Sequence, residues 1–138
     1  MTVSSKAERP SARRVPAVRV AATILYVPDV AAALAFYERA FGLEASFSAP
    51  DGSYATLASA PLAFASVDMA PAAEGPPGRP AGFEVWIEAQ DVPAALAQAL
   101  AAGAEPVQDP VTKPWGQVVA YVRDPNGTLI ELGTPVSG

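Results

Sequence analysis

An α+β fold built from two βαβββ repeats is predicted by three observations. The stretch Asp29–Ala35 (DVAAALA) returns at Asp91–Ala97 (DVPAALA), 62 positions later, with six of seven residues identical. Each copy follows an alternating apolar run and precedes a glycine, Gly42 or Gly103. After each glycine come three short apolar runs separated by turn residues. A recurring supersecondary unit constrains a fold more than any single motif. It also pairs positions between the halves, which shows which residues can meet in a shared site.

The elements follow in order. Residues 18–27 read as a strand: Val18, Val20, Ala22, Ile24 and Tyr26 point one way, Arg19, Ala21, Thr23, Leu25 and Val27 the other. Asp29 is a good N-cap, and Val30, Leu34, Tyr37 and Phe41 form one apolar stripe on the helix it opens. Gly42 suits the left-handed position that ends the helix. Strands are predicted near 43–48, 53–58 and 62–67, with Asp51-Gly52 and Ala60-Pro61 as turns. Residues 69–81, rich in Pro, Ala and Gly, read as a linker. The second unit repeats the order, with a strand at 82–89 and a helix at 91–102. Asp91 caps that helix, and Pro93 sits in the first turn, where a missing N–H does little harm. Strands near 104–108, 117–123 and 128–133 complete it, the last two joined by the turn Asp124–Gly127. The organisation is therefore a disordered tail (1–17), a first unit (18–68), the linker (69–81) and a second unit (82–135).

Composition narrows the chemistry. At 51% hydrophobic, 138 residues can bury a substantial core. There is no cysteine, hence no disulfide, thiolate metal site or cysteine nucleophile. There is no histidine either, which removes the commonest general base and transition-metal ligand. Five of the nine basic residues lie before position 20, leaving four against thirteen acidic ones in the body. Such a body repels phosphate backbones, so nucleic acid is not an expected partner. Met1–Ala17 lacks the apolar stretch of a secretory signal. No run approaches the ~18 apolar residues of a membrane span. A cytoplasmic location is expected, and the Ala- and Pro-rich composition suggests a bacterial source.

The motifs Leu25-Tyr-Val-Pro-Asp29, Phe36-Tyr37, Phe41-Gly-Leu43, Gly103-Ala104, Pro114-Trp-Gly-Gln117, Val122-Arg-Asp-Pro-Asn-Gly127 and Ile130-Glu-Leu132 resemble the vicinal oxygen chelate superfamily. That group includes glyoxalase I, extradiol dioxygenases, fosfomycin resistance enzymes and bleomycin-type resistance proteins. The resemblance spans roughly residues 18–135. It implies that each unit curls its sheet into a half-barrel whose concave side holds a small-molecule ligand, and that the protein forms a homodimer. It also implies one metal-ligand position on the first and last strand of each unit. These positions fall on Ala22, Phe64, Glu84 and Glu131 in this chain, Phe64 by counting from the Ala60-Pro61 turn. Two carboxylates remain and no imidazole, which disfavours an iron extradiol site needing two His and a carboxylate. No cofactor is expected. The alternative is Mg²⁺ or Mn²⁺ held weakly by Glu84 and Glu131, since these ions accept oxygen ligands.

Strand alternation gathers the ligand-facing candidates. Glu84 shares a face with Trp86 and Glu88, and Glu131 with Leu129 and Gly133; Ala22, Ile24 and Tyr26 join them through the repeat. Phe64, Trp115 and Gln117 complete the candidate set. A carboxylate turned inward is costly without a partner. Glu84 and Glu131 either bind a cationic or hydroxylated ligand, act as an acid/base pair sharing a proton, or only bond backbone groups. Trp115 either stacks on a planar ligand or covers core or a dimer contact. Lys113 reads as solvated, and with no His a nucleophilic triad is impossible. Two functions stay open. One is a metal-free binding protein of the drug-resistance kind that sequesters an aromatic ligand. The other is a lyase, isomerase or cyclase using Glu131 and Glu84.

Overall fold

Two four-stranded mixed sheets, each backed by one helix, make up the described part of a computed structural model of the chain, residues 17, 19–71 and 80–136. Nearly all of the expected tail and most of the expected linker lie outside the described residues. The first unit runs β1 (Thr23–Val27), α1 (Val30–Phe41), β2 (Ala45–Ser48), β3 (Tyr54–Leu57) and β4 (Leu62–Ser66), followed by a 3₁₀ turn at Val67–Met69. The second runs β5 (Val85–Glu88), α2 (Val92–Ala102), β6 (Glu105–Thr112), β7 (Val118–Arg123) and β8 (Leu129–Gly133). The sheet orders, β1-β4-β3-β2 and β5-β8-β7-β6, are the same order twice. The first strand lies parallel to the last in both units, and the remaining pairs are antiparallel.

The helices start and stop where the sequence placed them. Asp29 accepts from the Ala32 N–H at 3.0 Å and Asp91 from the Ala94 N–H at 3.1 Å. Gly42 ends α1 at φ 71° and Gly103 ends α2 at φ 116°, conformations that a Cβ disfavours. Replacing either cap aspartate with alanine is expected to cost about 1 kcal/mol. Urea denaturation checks this, with Asp29→Asn and Asp91→Asn staying near the parent.

Three strand boundaries differ from expectation. β1 starts at Thr23 rather than 18, because Thr23 pairs with Leu62 and its N–H already donates to Pro61 O at 2.8 Å. Beyond that point the neighbour is a turn, and there is no ladder to join. β5 starts at Val85 rather than 82 for the same reason: its partner strand begins after the Asp124–Gly127 turn. β6 runs on to Thr112 through Pro106 and Pro110, with register breaks on either side of Gln108. Proline is tolerated there because β6 is an outer strand of its sheet.

The core is one cluster drawn from both units. On α1 the buried face is Val30, Ala33, Phe36, Tyr37 and Ala40, while Leu34 and Phe41 flank it half-buried. The predicted stripe omitted Phe36 and the small residues Ala33 and Ala40, because the buried face is centred a few residues away from the line through Leu34 and Phe41. Tyr37 stacks obliquely on Phe64 at 4.9 Å and meets Phe36 edge-on at 5.4 Å, arrangements worth about 0.5–1.5 kcal/mol each beyond area burial. One polar contact ties the units together through this core. The Tyr37 hydroxyl donates to Asp124 Oδ2 at 2.7 Å. Burial, and next the adjacent Asp124 carboxylate, hold that hydroxyl's pKa far above its usual range.

Candidate functional site

Strand register decides which side chains share a surface. In the second unit Val85 and Ile87 lie beside Ile130 and Leu132 on the helix-facing side, with Ala120 and Val122 of β7. Trp86 therefore lies beside Glu131 on the opposite face, and Glu131 in turn beside Tyr121. In the first unit Leu25 lies beside Phe64 in the core, so Ile24 and Tyr26 lie beside Ala63 and Ala65 on the other face.

That register corrects Phe64. It is fully buried against Tyr37 and is not a wall of the open face. The residue matching Glu131 is Ala63, because Ile24 pairs with Ala63 as Trp86 pairs with Glu131. A slip of one residue along a strand turns every side chain to the other face. The four positions are thus Ala22, Ala63, Glu84 and Glu131, and the first unit brings no ligating group. The residues present do not fit a resident metal. Two carboxylates form the whole donor set, and among the described residues no group of three His, Cys, Asp or Glu side chains converges.

The structure does bring together Glu84, Trp86, Gln117 and Glu131. Trp86, Gln117 and Glu131 meet at Gly133, and Glu84 joins through its hydrogen bond to Glu131. A Cβ there would lie 3.0 Å from each of Trp86 Nε1, Gln117 Nε2 and Glu131 Oε2. The missing side chain is what lets three polar groups close over one strand position. Trp86 Nε1 donates to Gly133 O at 3.3 Å, and Gln117 Nε2 to Thr134 O at 2.9 Å. Trp115 joins through its Nε1, which donates to Gln117 Oε1 at 3.0 Å. Tyr121 Oη donates to Glu84 Oε2 at 3.4 Å. Ile24 and Tyr26 stand apart on the first unit's sheet, and Ala22 lies just before its first strand. That unit approaches the second across a groove of about 400 Å³, with Thr23, Pro61 and Leu62 on one side and Phe83, Glu84 and Trp86 among the residues on the other.

Glu131 is the chemically unusual group. Its carboxyl is pushed up to about 7 by desolvation first, then by a hydrogen bond and charge repulsion from Glu84, with Lys113 pulling the other way. The pair therefore holds a proton to higher pH than an ordinary carboxylate does. Desolvation, then the Glu131 and Glu84 charges, also raise the Tyr121 hydroxyl. Lys113, read from the sequence as solvated, is half-buried and its charge reaches Glu131. Tyr121 was not picked out, although the β7 alternation Val119, Tyr121, Arg123 would have placed it opposite Glu131.

Gly133→Ala is expected to leave the fold within about 1 kcal/mol of the parent, since its backbone is not left-handed. The Gln117 and Glu131 ends can swing aside, whereas the indole must break its bond to Gly133 O. Denaturation should show an intact protein, and tryptophan emission should show a rearranged site.

The model of the Glyoxalase/Bleomycin resistance protein/Dioxygenase superfamily matches residues 19–132. Among solved structures, the chain is similar to a glyoxalase-related enzyme from Fulvimarina pelagi, with TM-score 0.74, 22% identity, and 85% of this chain and 88% of that one covered. It is also similar to a glyoxalase/bleomycin resistance protein/dioxygenase family enzyme from Burkholderia phytofirmans PsJN (0.69, 18%, 85% and 98%). TioX from Micromonospora sp. ML1 superposes with TM-score 0.67 at 25% identity, over 82% of this chain and 95% of that one. No curated protein sequence matches the chain.

Proposed function

This chain belongs to the glyoxalase/bleomycin resistance protein/dioxygenase superfamily, and from that membership we propose that it sequesters an aromatic small molecule without a metal, in the manner of a drug-resistance protein. The observation that carries this reading is a cluster of two exposed indoles and two carboxylates on the second unit: Trp86, Gln117 and Glu131 close over Gly133, Trp115 is bonded to Gln117, Glu84 is bonded to Glu131, and no group of three His, Cys, Asp or Glu side chains converges among the described residues. Trp86 is 47% and Trp115 64% exposed. Exposed aromatic faces beside a few convergent polar groups are how such sites hold planar ligands. The acid pair supplies charge or hydrogen bonds to a cationic or hydroxylated substituent. Ala22, Ile24 and Tyr26 form an accessory apolar surface on the first unit. The reading includes a bacterial, cytoplasmic protein that forms a homodimer, the dimer being supported by the exposed Phe47 on β2 and Val107 and Val111 on β6. No helix among the described residues is long and apolar enough to cross a membrane.

The test is a titration of tryptophan fluorescence with planar aromatic antibiotics and dyes. Saturable quenching that disappears in Trp86→Ala is the expected result, and emission indifferent to the whole panel would count against it. The pKa of about 7 at Glu131 favours a second reading, an acid/base lyase, isomerase or cyclase. A carboxyl poised near the working pH is suited to proton transfer. In that case Glu131→Gln loses turnover and keeps binding.

A further inference from the structure

Both indole N–H groups of the site are already used within the protein, Trp86's by Gly133 O at 3.3 Å and Trp115's by Gln117 Oε1 at 3.0 Å. What either ring can offer a ligand is therefore its face. Trp115 is the more exposed of the two, and a side chain so exposed ordinarily keeps its rotamer freedom. Here it is held by one group. Gln117 is only 7% exposed, and its amide is fixed at the other end by Thr134 O. Thr134 is itself locked to β7: its Oγ1 accepts from Val118 N–H at 3.0 Å, and its N–H donates to Val118 O at 3.0 Å. The loop closes on the same residue, because Lys113 N–H donates to Gln117 O at 2.7 Å. Gly116 N–H returns to Lys113 O at 2.8 Å, with Gly116 at φ 94°. The rim loop 113–117 is thus closed by main-chain bonds to Gln117 and Lys113, while the Trp115 ring is tied to the buried Gln117 amide, whose Nε2 also borders the Gly133 junction.

We propose that Gln117 is a positioning residue that fixes the Trp115 ring at the rim of the site before any ligand arrives, so that the site presents preset indole faces and selects planar π-systems over ligands that need a donor from the tryptophans. The proposal rests on the aromatic-binding reading above and adds to it the residue that sets the geometry. A ring ordered in advance spares a ligand the cost of ordering it.

The experiment is hydrogen exchange and relaxation of the indole N–H groups by ¹⁵N NMR on the full chain without ligand, with Trp115→Phe assigning the two signals. The Trp115 indole proton is expected to exchange roughly tenfold or more slowly than that of a free exposed indole. Gln117→Met keeps the bulk but cannot accept the bond. It should abolish that protection and raise the mobility of the Trp115 ring, leaving the Trp86 signal in place. A Trp115 proton exchanging at the free rate in the unaltered protein, or protection that survives Gln117→Met, overturns the proposal. Should Gln117→Met fail to fold, the rate in the unaltered protein decides alone. No ligand enters the measurement, so its outcome is independent of whether the binding reading holds.

Discussion

Asp124→Ala is expected to lower folding stability by about 3–5 kcal/mol, because it strands three hydrogen-bond donors at once. Asp124 is 3% exposed. Its Oδ1 accepts from Asn126 N–H at 2.8 Å and Thr128 N–H at 2.9 Å, and its Oδ2 accepts from Tyr37 Oη at 2.7 Å. The first two bonds set the β7–β8 turn, and the third joins that turn to α1 of the other unit. A buried donor left without a partner costs about 1–3 kcal/mol, so the loss is comparable to that of a large core truncation. Tyr37→Phe removes only the cross-unit bond and is expected to cost about 1–2 kcal/mol. The double variant should fall short of the sum, since both changes delete one shared contact. Urea denaturation of the three variants measures all of this. Asp124→Asn, which keeps an acceptor for the tyrosine, should recover much of the loss.

Between pH 5 and 8 stability is expected to fall with rising pH by an amount that Glu131→Gln removes. The sign follows from the direction of the shift. The folded protein raises the Glu131 carboxyl from 4.5 to about 7, so it binds that proton more tightly than the unfolded chain does. The contribution is present in full below the unfolded pKa and is lost as pH rises through the folded one. With a discount for the side chain's partial exposure, it amounts to about 1 kcal/mol. Comparing the melting temperatures of the parent and Glu131→Gln across this window isolates the one group. A parent profile that is flat, or that rises with pH relative to the variant, would contradict the proton-sharing pair. Binding follows the same logic: a ligand that brings a positive charge to the pair displaces the shared proton, so its affinity should increase over the same window. A neutral planar ligand should show no such trend.

Much of this was legible in the sequence because it depends on local rules. The cap aspartates, the terminal glycines and the 62-residue repeat are short-range patterns, and they located both helices and the order of strands. Alternation about Val85, Trp86 and Ile87 put Trp86 and Glu131 on one face before any register was known. What the sequence hid depends on pairing. Phe64 was placed by counting from a turn, but the β3–β4 and β7–β8 hairpins differ, and an error of one residue moved it from core to cleft. The β7 alternation gives the face of Tyr121 but not its partner Glu84, and the reach of the Lys113 charge to Glu131 depends on a neighbour distant in sequence. The role of Gly133 shows only when Trp86, Gln117 and Glu131 are seen to close over it. The ends of β1 and β5 were overextended because apolar alternation continues past the point where a partner strand exists.

The most direct measurement is a thermal-shift titration of chelator-treated protein, first with Mg²⁺, Mn²⁺, Ni²⁺ and Zn²⁺ and then with a panel of planar aromatic compounds. A ligand that binds only the folded state raises the melting temperature with the logarithm of its saturation. Metal-free aromatic binding on the second unit's open face is expected to show as no shift with any ion and a shift with at least one planar compound that Trp86→Ala abolishes. A clear shift with a divalent ion that Glu131→Gln abolishes would contradict it, and would make the acid pair a metal site instead.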